Sequence, residues 1–249
     1  MNTPDFSKEN IKPLFESKFI RVFDLQYAEG KHYYDATRRT ADDLVAAKTT
    51  EEFKNMRADA VTCIVVLNIK DSEPKLLLSH EFRYPTGQFL LSPPAGLIDK
   101  EDTDLITTAT RELKEETGIV FGDSDTAKVI SPLLFSTPGM TDESNALVLL
   151  SINRDTLPEL NTDGAVGSEC FNGFSLLTKE EALQMGKIFM KMIKGDASEE
   201  EIDSLEEASA LRDIAHMPAR VKCAVLGWRT LKEALLGEDA DDDDDEDDE

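Results

Sequence analysis

The stretch Asp104–Gly118, D-L-I-T-T-A-T-R-E-L-K-E-E-T-G, decides how the rest of this 249-residue chain is interpreted. At about 100° per residue, its apolar side chains fall on one helical stripe, which consists of Leu105, Ile106, Ala109 and Leu113. A glycine follows the last turn, where the left-handed conformation that ends many helices favours this residue. The stretch therefore predicts an amphipathic helix that ends at Gly118.

The same helix carries glutamates that share a face. Glu112, Glu115 and Glu116 stand at positions i, i+3 and i+4, beside the apolar stripe and not opposite it. Carboxylates that crowd at a buried edge repel one another, and a cation relieves this repulsion. Oxygen ligands of this kind suit a hard divalent ion, Mg²⁺ or Mn²⁺. Acidic clusters on solvated helices are common, so the spacing alone leaves both interpretations open.

A longer pattern surrounds these glutamates. Gly96-Leu97-Ile98-Asp99 is followed by Arg111-Glu112-Leu113, by Glu115-Glu116 and by Gly118-Ile119. This arrangement resembles the Nudix box, a glycine followed by the pattern REUxEExGU, in which U is an aliphatic residue. Family members space the glycine and the arginine by fourteen residues, whereas Gly96 and Arg111 lie fifteen apart. We place the extra residue in the loop before the helix, where Asp102 or Glu101 takes the place of the family's glutamate.

Segments on either side of the box narrow the resemblance. Glu81–Gly87 precedes the strand end Pro94-Ala95-Gly96, and Ser136–Glu143 follows the helix. Together they resemble the ADP-ribose pyrophosphatase branch of Nudix enzymes, which combines an aromatic-arginine segment, a P-A-G strand end and an S-P-G loop. Ser92 departs from the branch, because relatives usually carry a glutamate at that place. A substrate or metal contact that relatives make there is therefore not expected in this chain.

The resemblance implies an α/β fold, namely a Nudix-type α/β/α sandwich on a mixed β-sheet with an N-terminal β-hairpin extension and extra C-terminal helices. We divide the chain into an N-terminal arm and β-hairpin/helical extension (1–58), a Nudix hydrolase domain (59–237) and a disordered acidic tail (238–249). The N-terminal hairpin forms the dimer in this branch, so we expect a homodimer.

Local patterns predict several elements outside the box. Residues 1–15 contain two prolines and predict a loosely held arm. Thr178-Lys179-Glu180-Glu181 predicts a capping box that opens a helix to about Lys194. An acidic amphipathic helix is predicted over Glu199–Ala215, and a last helix is predicted from Pro218 to Leu236.

The resemblance also implies an activity, a cofactor and a set of ligands. The activity is Mg²⁺-dependent hydrolysis of the diphosphate bond of ADP-ribose or a related nucleoside diphosphate sugar, giving a nucleoside monophosphate and a sugar phosphate. Mn²⁺ is a possible substitute for Mg²⁺. Glu112 and Glu116 correspond to the principal metal ligands, Glu115 to a ligand or base, and the Ala95 carbonyl to a further ligand. Arg111 joins the catalytic group, with a predicted ion pair to Glu115 that holds the acidic face in register.

Three further positions follow from the resemblance. Relatives carry a catalytic or metal-binding glutamate in the long polar loop that corresponds to residues 153–170. Glu169 is the nearest match, with Glu159 and Asp163 as competitors. Arg83 is the candidate for a contact with a substrate phosphate or ribose, and a plain salt bridge is its alternative. Gly96 and Gly139 complete the predicted substrate-binding residues.

Two other functions stay open at this point. One is hydrolysis of another nucleoside diphosphate derivative, such as NADH or a GDP-sugar, because the box does not select the substrate. The other is a nucleotide-binding sensor or adaptor without turnover, in which the acidic tail recruits basic partners. Such sensors often lose box glutamates, whereas this helix keeps Glu112, Glu115 and Glu116.

Composition limits the partners of the chain. Its net charge is −24, and without the eleven acids of Glu238–Glu249 it is still −13. An acidic surface repels nucleic-acid backbones and anionic membranes, so neither is expected as a partner. The three cysteines are far apart and predict neither a disulfide framework nor a zinc site. The sequence also lacks an apolar signal core or a membrane-length apolar run, and we expect a cytoplasmic protein.

Overall fold

A computed structural model describes residues 8–216, together with positions 221 and 225. Its strands are Ile11–Glu16 (β1), Arg21–Ala28 (β2), Lys31–Thr37 (β3), Ala60–Ile69 (β4), Lys75–Arg83 (β5), Gln88–Ser92 (β6), Ala95–Leu97 (β7), Thr126–Leu134 (β8), Asn145–Arg154 (β9) and Phe171–Thr178 (β10). Its α-helices are Thr50–Lys54 (α1), Leu105–Thr117 (α2), Lys179–Lys194 (α3) and Glu199–Asp203 (α4). Segments of 3₁₀ helix cover Lys8–Asn10, Val45–Ala47 and Glu206–His216.

The N-terminal strands form a separate antiparallel sheet in the order β1-β2-β3. Gly30 turns the chain between β2 and β3 with a φ of 64°, a conformation that glycine adopts without strain. One face of the sheet buries a small cluster of Ile11, Phe23, Leu25 and Leu44. The predicted arm over residues 1–15 is wrong from Ile11 onward, because β1 pairs with β2 there. Pro13 argued against a strand in the sequence, because proline has no backbone N–H to donate. The register of β1 shifts between Pro13 and Phe15, which accommodates the proline in an edge strand.

A second sheet has seven strands and contains the core of the chain. Its main path runs β10-β5-β4-β9-β8, with β6 paired to β5 and β7 paired to β4. Alternate residues of β4 are fully buried, among them Val61, Cys63, Val65 and Leu67. The predicted α/β class is therefore confirmed, with a central mixed sheet and an additional N-terminal sheet.

The C-terminal helices follow β10 directly. The predicted capping box is present, since the Thr178 hydroxyl accepts from the Glu181 N–H and the Glu181 carboxylate accepts from the Thr178 N–H. Gly195 ends α3 in the left-handed conformation with a φ of 83°. A hydrophobic cluster forms around α3 and consists of Ile188, Phe189, Met192, Ile193, Ile202, Leu205 and Val225.

The prediction of one continuous helix over Glu199–Ala215 is wrong. The segment is α4 followed by two turn residues and a 3₁₀ helix over Glu206–His216. The Ser204 hydroxyl donates to the Glu201 carbonyl at 2.6 Å, so a side chain takes up an acceptor near the end of α4. The predicted helix Pro218–Leu236 and the acidic tail lie outside the described residues, apart from Val221 and the buried Val225.

The chain divides into two compact units that do not follow chain order. One unit consists of Met1–Cys63, Ala95–Glu112 and Ala127–Leu150, and the other of Ile64–Pro94, Leu113–Thr126 and Ser151–Glu249. The domain boundaries proposed at 58/59 and 237/238 stay predictions. Among the described residues, none of the helices is both long and apolar enough to cross a membrane.

The cap of α3 gives a first testable prediction. We expect Thr178→Ala to lower the free energy of unfolding by about 1 kcal/mol, because it removes the side-chain oxygen that satisfies the Glu181 N–H. Thr178→Ser keeps this oxygen and is the matched control. Urea denaturation followed by circular dichroism measures the difference, and equal midpoints for the two variants would contradict the assignment of the cap.

Candidate active site

The predicted box helix is present as α2, and local side chains define both of its ends. The Asp104 carboxylate accepts from the N–H groups of Ile106 and Thr107, each at 2.9 Å. These bonds lower the pKa of Asp104, the Thr107 N–H having the largest effect. At the other end Gly118 has a φ of 75°, and its N–H donates to the Lys114 carbonyl at 3.0 Å. The prediction that the helix ends at Gly118 is confirmed.

The glutamates of α2 are on its buried side. Ala109 and Leu113 are fully buried, as the apolar stripe predicted. Glu112 is 5% exposed and Glu116 is 3% exposed, whereas Glu115 is half-buried. Burying a carboxylate is costly unless a cation or hydrogen-bond donors surround it. Two buried carboxylates on one turn of helix therefore mark a site of function more than a solvated face.

Gly96 provides space for one of these carboxylates. Strand β7 pairs with β4 so that Gly96 lies opposite Val61 and Ala95 lies opposite Thr62. A Cβ atom built on Gly96 would overlap with all three atoms of the Glu112 carboxyl group. Only glycine at this position lets Glu112 lie directly against the strand, which explains the start of the box pattern. The substrate-binding role predicted for Gly96 stays a prediction.

Arg111 links the loop before α2 to the site. Its guanidinium donates to Asp102 at 2.9 Å, to Glu112 at 2.7 Å and to the Leu97 carbonyl at 2.9 Å. Asp102 is 7% exposed and also accepts from the Asp99 N–H and the Thr108 hydroxyl, each at 3.0 Å. The hydrogen bond from Arg111 is the largest of the effects that lower the pKa of Asp102. Arg111 thus holds Glu112 in place, and its predicted pairing with Glu115 stays a prediction.

Of the two candidate loop acids, Asp102 is the one that contacts Arg111. The other candidate, Glu101, is exposed, whereas Asp102 is buried and bonded to Arg111. Arg57 also donates to the Asp102 carbonyl at 2.8 Å, which fixes the backbone of the loop. The extra residue of the box therefore leaves the contact between acid and arginine intact.

The donor set of α2 and β7 fits a hard divalent ion. Glu112 and Glu116 offer buried carboxylate oxygens, Glu115 offers a half-buried one, and Ala95 contributes a backbone carbonyl. These are oxygen donors only, which favours Mg²⁺ or Mn²⁺ over a softer metal. In the part of the chain that the structure describes, no three acidic, histidine or cysteine side chains are already grouped as a metal site.

A second group of charged residues involves the predicted Arg83. Its guanidinium lies 2.5 Å from the Glu81 carboxylate, so the salt bridge considered as an alternative role is present. Burial has the largest effect on the pKa of Glu81 and raises it, the Arg83 charge lowers it, and the nearby Glu169 charge raises it. The structure thus brings Arg83 and Glu169 to a common carboxylate. Sequence reasoning missed Glu81, although its position two residues before Arg83 on a strand puts both side chains on one face.

The loop that contains Glu169 is exposed over most of its polar residues. Glu169, Glu159 and Asp163 are all exposed, and the Glu169 carboxylate accepts from the Val166 N–H at 2.8 Å. Of the three candidates, only Glu169 is shown to act electrostatically on Glu81. The choice among the three as a catalytic residue stays a prediction.

The loop that contains Gly139 is bonded to strand β3. The Tyr33 hydroxyl donates to the Gly139 carbonyl at 2.9 Å, and the Ala36 N–H donates to the Met140 carbonyl at 3.0 Å. Further along, the Asp142 carboxylate accepts from the Val45 N–H at 3.0 Å. The loop conformation that exposes Gly139 therefore depends on the N-terminal sheet. Its predicted contact with substrate stays a prediction.

A pair of acids lies at this junction. The Asp142 N–H donates to Asp35 at 3.1 Å, while the other oxygen of the Asp35 carboxyl group is buried without a hydrogen-bond partner. Burial, helped by the Asp142 charge, raises the pKa of Asp35 from 3.8 to about 6. Arg39 acts in the opposite direction, and its Nε atom lies 3.5 Å from Asp142. Asp35 is therefore an acid that the fold accommodates best in its neutral form.

Buried carboxylates on one helix can hold the metal ions that hydrolases use to act on phosphates. The NUDIX domain model matches residues 56–187. This match covers more than half of the chain, which therefore belongs to the Nudix family. Nudix hydrolases generally use divalent metal ions.

Several proteins of this family are similar in sequence. The ADP-ribose pyrophosphatase of Saccharomyces cerevisiae is 38% identical over 130 residues, which cover 51% of this chain and 52% of that protein. The ADP-sugar pyrophosphatase of Mus musculus is 33% identical over 123 residues, which cover 49% of this chain and 53% of that protein. The chain thus spans about half the length of these curated relatives. Among solved structures, an ADP compounds hydrolase is 18% identical with a TM-score of 0.40, covering 85% of this chain and 94% of that one.

The acid pair gives a prediction about pH. Between pH 4 and pH 6 the folded state keeps the Asp35 proton that the unfolded state has lost, so wild-type stability falls as the pH rises through this window. We expect Asp35→Asn, which mimics the neutral acid, to be more stable than wild type by about 2 kcal/mol at pH 8. The gain should vanish near pH 4, as thermal melts across the pH range would show.

Asp43→Asn is the control, because the pKa of Asp43 is lowered in the folded protein whereas that of Asp35 is raised. The Lys48 hydrogen bond is the largest of the effects that lower the pKa of Asp43, so its charge stabilises the folded protein at neutral pH. Asp43→Asn should therefore be no more stable than wild type at pH 8. A gain for Asp35→Asn that did not depend on pH would contradict the assignment.

Proposed function

We propose that this protein is a Mg²⁺-dependent hydrolase of the diphosphate bond of ADP-ribose or a related nucleoside diphosphate sugar. The products are a nucleoside monophosphate and a sugar phosphate. One observation carries the proposal: α2 buries Glu112 and Glu116, with the Glu112 carboxylate against Gly96 and bonded to Arg111. The names of the yeast and mouse relatives support this substrate class.

The residues of α2 and β7 hold the ion in this proposal. Glu112 and Glu116 are the principal ligands, with the Ala95 carbonyl as a further ligand and Glu115 as a ligand or base. The ion, when bound, neutralises the charge of the diphosphate and lowers the pKa of a bound water. Arg111 keeps the Glu112 carboxylate oriented through its bonds to Asp102 and the Leu97 carbonyl. Mn²⁺ is expected to replace Mg²⁺, because the ligands are oxygen atoms.

The second charged group consists of Glu81, Arg83 and Glu169. In this proposal it contacts the substrate and assists catalysis. Arg83 is 44% exposed beside Glu81, so part of its guanidinium is available to a phosphate or ribose of the substrate. Glu169 is the proposed catalytic or metal-binding glutamate of the loop. The attacking water adds to phosphorus while the bond from phosphorus to the bridging oxygen breaks, and its proton passes to Glu115 or Glu169. Gly139 is exposed and carries no side chain, so it lets the substrate approach the backbone closely. Gly96 is proposed as a substrate-binding residue next to the Glu112 carboxylate.

The N-terminal sheet supports a homodimer. Its strands expose Tyr34 at 58% and Phe15 at 54%, and the turn between β1 and β2 exposes Phe19 at 73%. Exposed aromatic groups concentrated on one small sheet are typical of a protein interface. We include the homodimer in the proposal, together with a cytoplasmic location, which the free Cys63 and Cys170 support.

Two alternatives differ in substrate or in turnover. An enzyme for NADH or a GDP-sugar would use the same α2 residues and a different set of base contacts. A non-catalytic sensor or adaptor would bind a nucleotide without cleaving it. The complete set of glutamates on α2 favours an enzyme over a sensor, because a sensor does not need buried carboxylates at the scissile bond.

The first test is turnover of a nucleotide-sugar panel with Mg²⁺ and Mn²⁺, measured as phosphate released by a coupled phosphatase. We expect ADP-ribose or another ADP-sugar to be the preferred substrate. Glu112→Gln and Glu116→Gln should each lower kcat by about a hundredfold or more, since each removes a metal ligand. Glu180→Gln, on the exposed face of α3, is the control and should match wild type.

The outcomes separate the alternatives. Values within threefold of wild type for both glutamine variants would contradict the metal-site assignment. Preference for NADH or a GDP-sugar would support the alternative enzyme, which acts on another nucleoside diphosphate derivative. A folded protein that binds the nucleotides without cleaving any of them would be the sensor.

Gly96 gives a further prediction. Gly96→Ala places a methyl group where the Glu112 carboxyl group lies, and that flexible side chain is the atom group that must move. We therefore expect kcat to fall by about tenfold or more while the melting temperature changes little. Isothermal titration with Mn²⁺ should show weaker binding than in wild type. Unchanged Mn²⁺ affinity and unchanged kcat would show that Glu112 does not need this space.

A further inference from the structure

The loop after β9 docks on the C-terminal end of α2. The Asn161 N–H donates to the Thr117 carbonyl at 3.1 Å, which joins the loop backbone to the last residue of the helix. The Asn161 side chain also covers Gly118, because a Cβ atom on Gly118 would lie 2.8 Å from the Asn161 Cγ atom. Asn161 in turn accepts from the Asp163 N–H at 3.2 Å, a local turn that leads the chain toward Gly164.

Gly164 lies directly against the backbone of α2. A Cβ atom at this position would lie 2.6 Å from the Glu115 carbonyl oxygen, 2.7 Å from the Glu115 Cα atom and 3.0 Å from its carbonyl carbon. These neighbours are backbone atoms of a helix, so they do not give way as the end of a flexible side chain does. A side chain at position 164 therefore has to push either the loop or the helix aside.

The need for glycine here is one of space and not of backbone torsion. Gly164 is not among the glycines with positive φ, whereas Gly118 and Gly167 are. A left-handed backbone is thus not the reason for glycine at position 164. Gly122 also lacks a positive φ, but a Cβ atom there would lie 3.8 Å from its nearest neighbour, the Asp125 carboxylate. The two glycines differ in the contact with Glu115 and form a matched pair for experiment.

We propose that Gly164 is a positioning residue, which keeps the loop between β9 and β10 packed on the α2 backbone at Glu115 and so fixes the Glu115 carboxylate. The inference rests on the proposed function, since it concerns how one of the proposed catalytic glutamates is held. Glu115 is the least buried of the three, so the helix core constrains it less than Glu112 and Glu116. The loop packs on the helix backbone at this residue. The same loop contains Glu169, so the docking of the loop on α2 also affects the position of the Glu169 carboxylate.

The first experiment compares Gly164→Ala with Gly122→Ala. We expect Gly164→Ala to lower kcat by about tenfold or more at saturating metal, because small displacements of a catalytic group cost one to two orders of magnitude. KM should change less than threefold, since the substrate contacts proposed for Arg83 and Gly139 are elsewhere. Gly122→Ala should stay within twofold of wild type in both constants. Equal constants for the two variants would overturn the proposal.

A double-mutant cycle distinguishes an effect on the position of Glu115 from a general disturbance of the fold. If Gly164 acts through Glu115, Gly164→Ala should cost less than twofold in a Glu115→Gln background, because the group it positions is already altered. A full tenfold loss in that background would show that Gly164 acts by another route and would overturn the assignment. Asn161→Ala, which keeps the backbone bond, should show the same non-additive behaviour with a smaller loss, and it serves if Gly164→Ala does not fold.

Hydrogen exchange tests the docking without any substrate. The Asn161 N–H donates to the Thr117 carbonyl, so we expect it to exchange at least tenfold faster in Gly164→Ala than in Gly122→Ala. Equal exchange in the two variants would overturn the docking. If wild type cleaves no nucleotide derivative, the proposed function fails, while this measurement still decides whether Gly164 holds the loop on α2.

Discussion

The contact between the Glu112 carboxylate and the backbone of Gly96 is the constraint on which the candidate site depends. A helix that buries acids next to a sheet needs a strand without a side chain at the point of approach, and β7 supplies it with Gly96. It also needs a cation, and Arg111 donates to Glu112 at 2.7 Å from the same helix. Arg111 is then fixed by Asp102, so the loop before the helix becomes part of the site.

This arrangement explains how the chain tolerates its departure from the family pattern. The spacing from Gly96 to Arg111 is longer by one residue, and the loop acid is an aspartate, which is shorter than glutamate by one methylene group. The Asp102 carboxylate nevertheless reaches Arg111, the Asp99 N–H and the Thr108 hydroxyl. The chain thus keeps an ion pair between the loop acid Asp102 and Arg111.

Elements with strong local signals were predictable from the sequence. Helix α2 and the capping box of Thr178 follow from periodicity and capping chemistry, and both are present. Strand β1 was missed because Pro13 argues against a strand, although an edge strand with a register shift accommodates it. The segment after Glu199 has the spacing of apolar residues that is typical of an amphipathic helix. Helix α4 nevertheless ends at Asp203, where the Ser204 hydroxyl donates to the Glu201 carbonyl. The spacing of apolar residues does not reveal such a bond.

Site residues were likewise predictable where their pattern is local in the sequence and not where it depends on distant contacts. The glutamates of α2 were predictable because their spacing lies within one helix. Glu81 was predictable only in part, since its spacing from Arg83 on one strand is local, whereas Glu169 is far along the chain. Gly164 was likewise one glycine among several in a polar loop until the fold brought it to the Glu115 backbone. Tertiary contacts of this kind leave no pattern in a single sequence.

Charge balance gives the strongest physical reason to expect a metal ion in this protein. Several arginines near the candidate residues are already paired with acids: Arg39 with Asp43, Asp59 and Asp142, Arg111 with Asp102 and Glu112, and Arg38 with Glu143. Their positive charge is largely balanced within the fold, and the chain as a whole has a net charge of −24. A diphosphate brings further negative charge into a surface that already repels it. Arg83 is partly exposed but is itself paired with Glu81, so one guanidinium does not offset two phosphates. A divalent ion bound by the α2 carboxylates would both relieve their mutual repulsion and attract the substrate, and the same acids that make the protein anionic would then create its affinity for an anion.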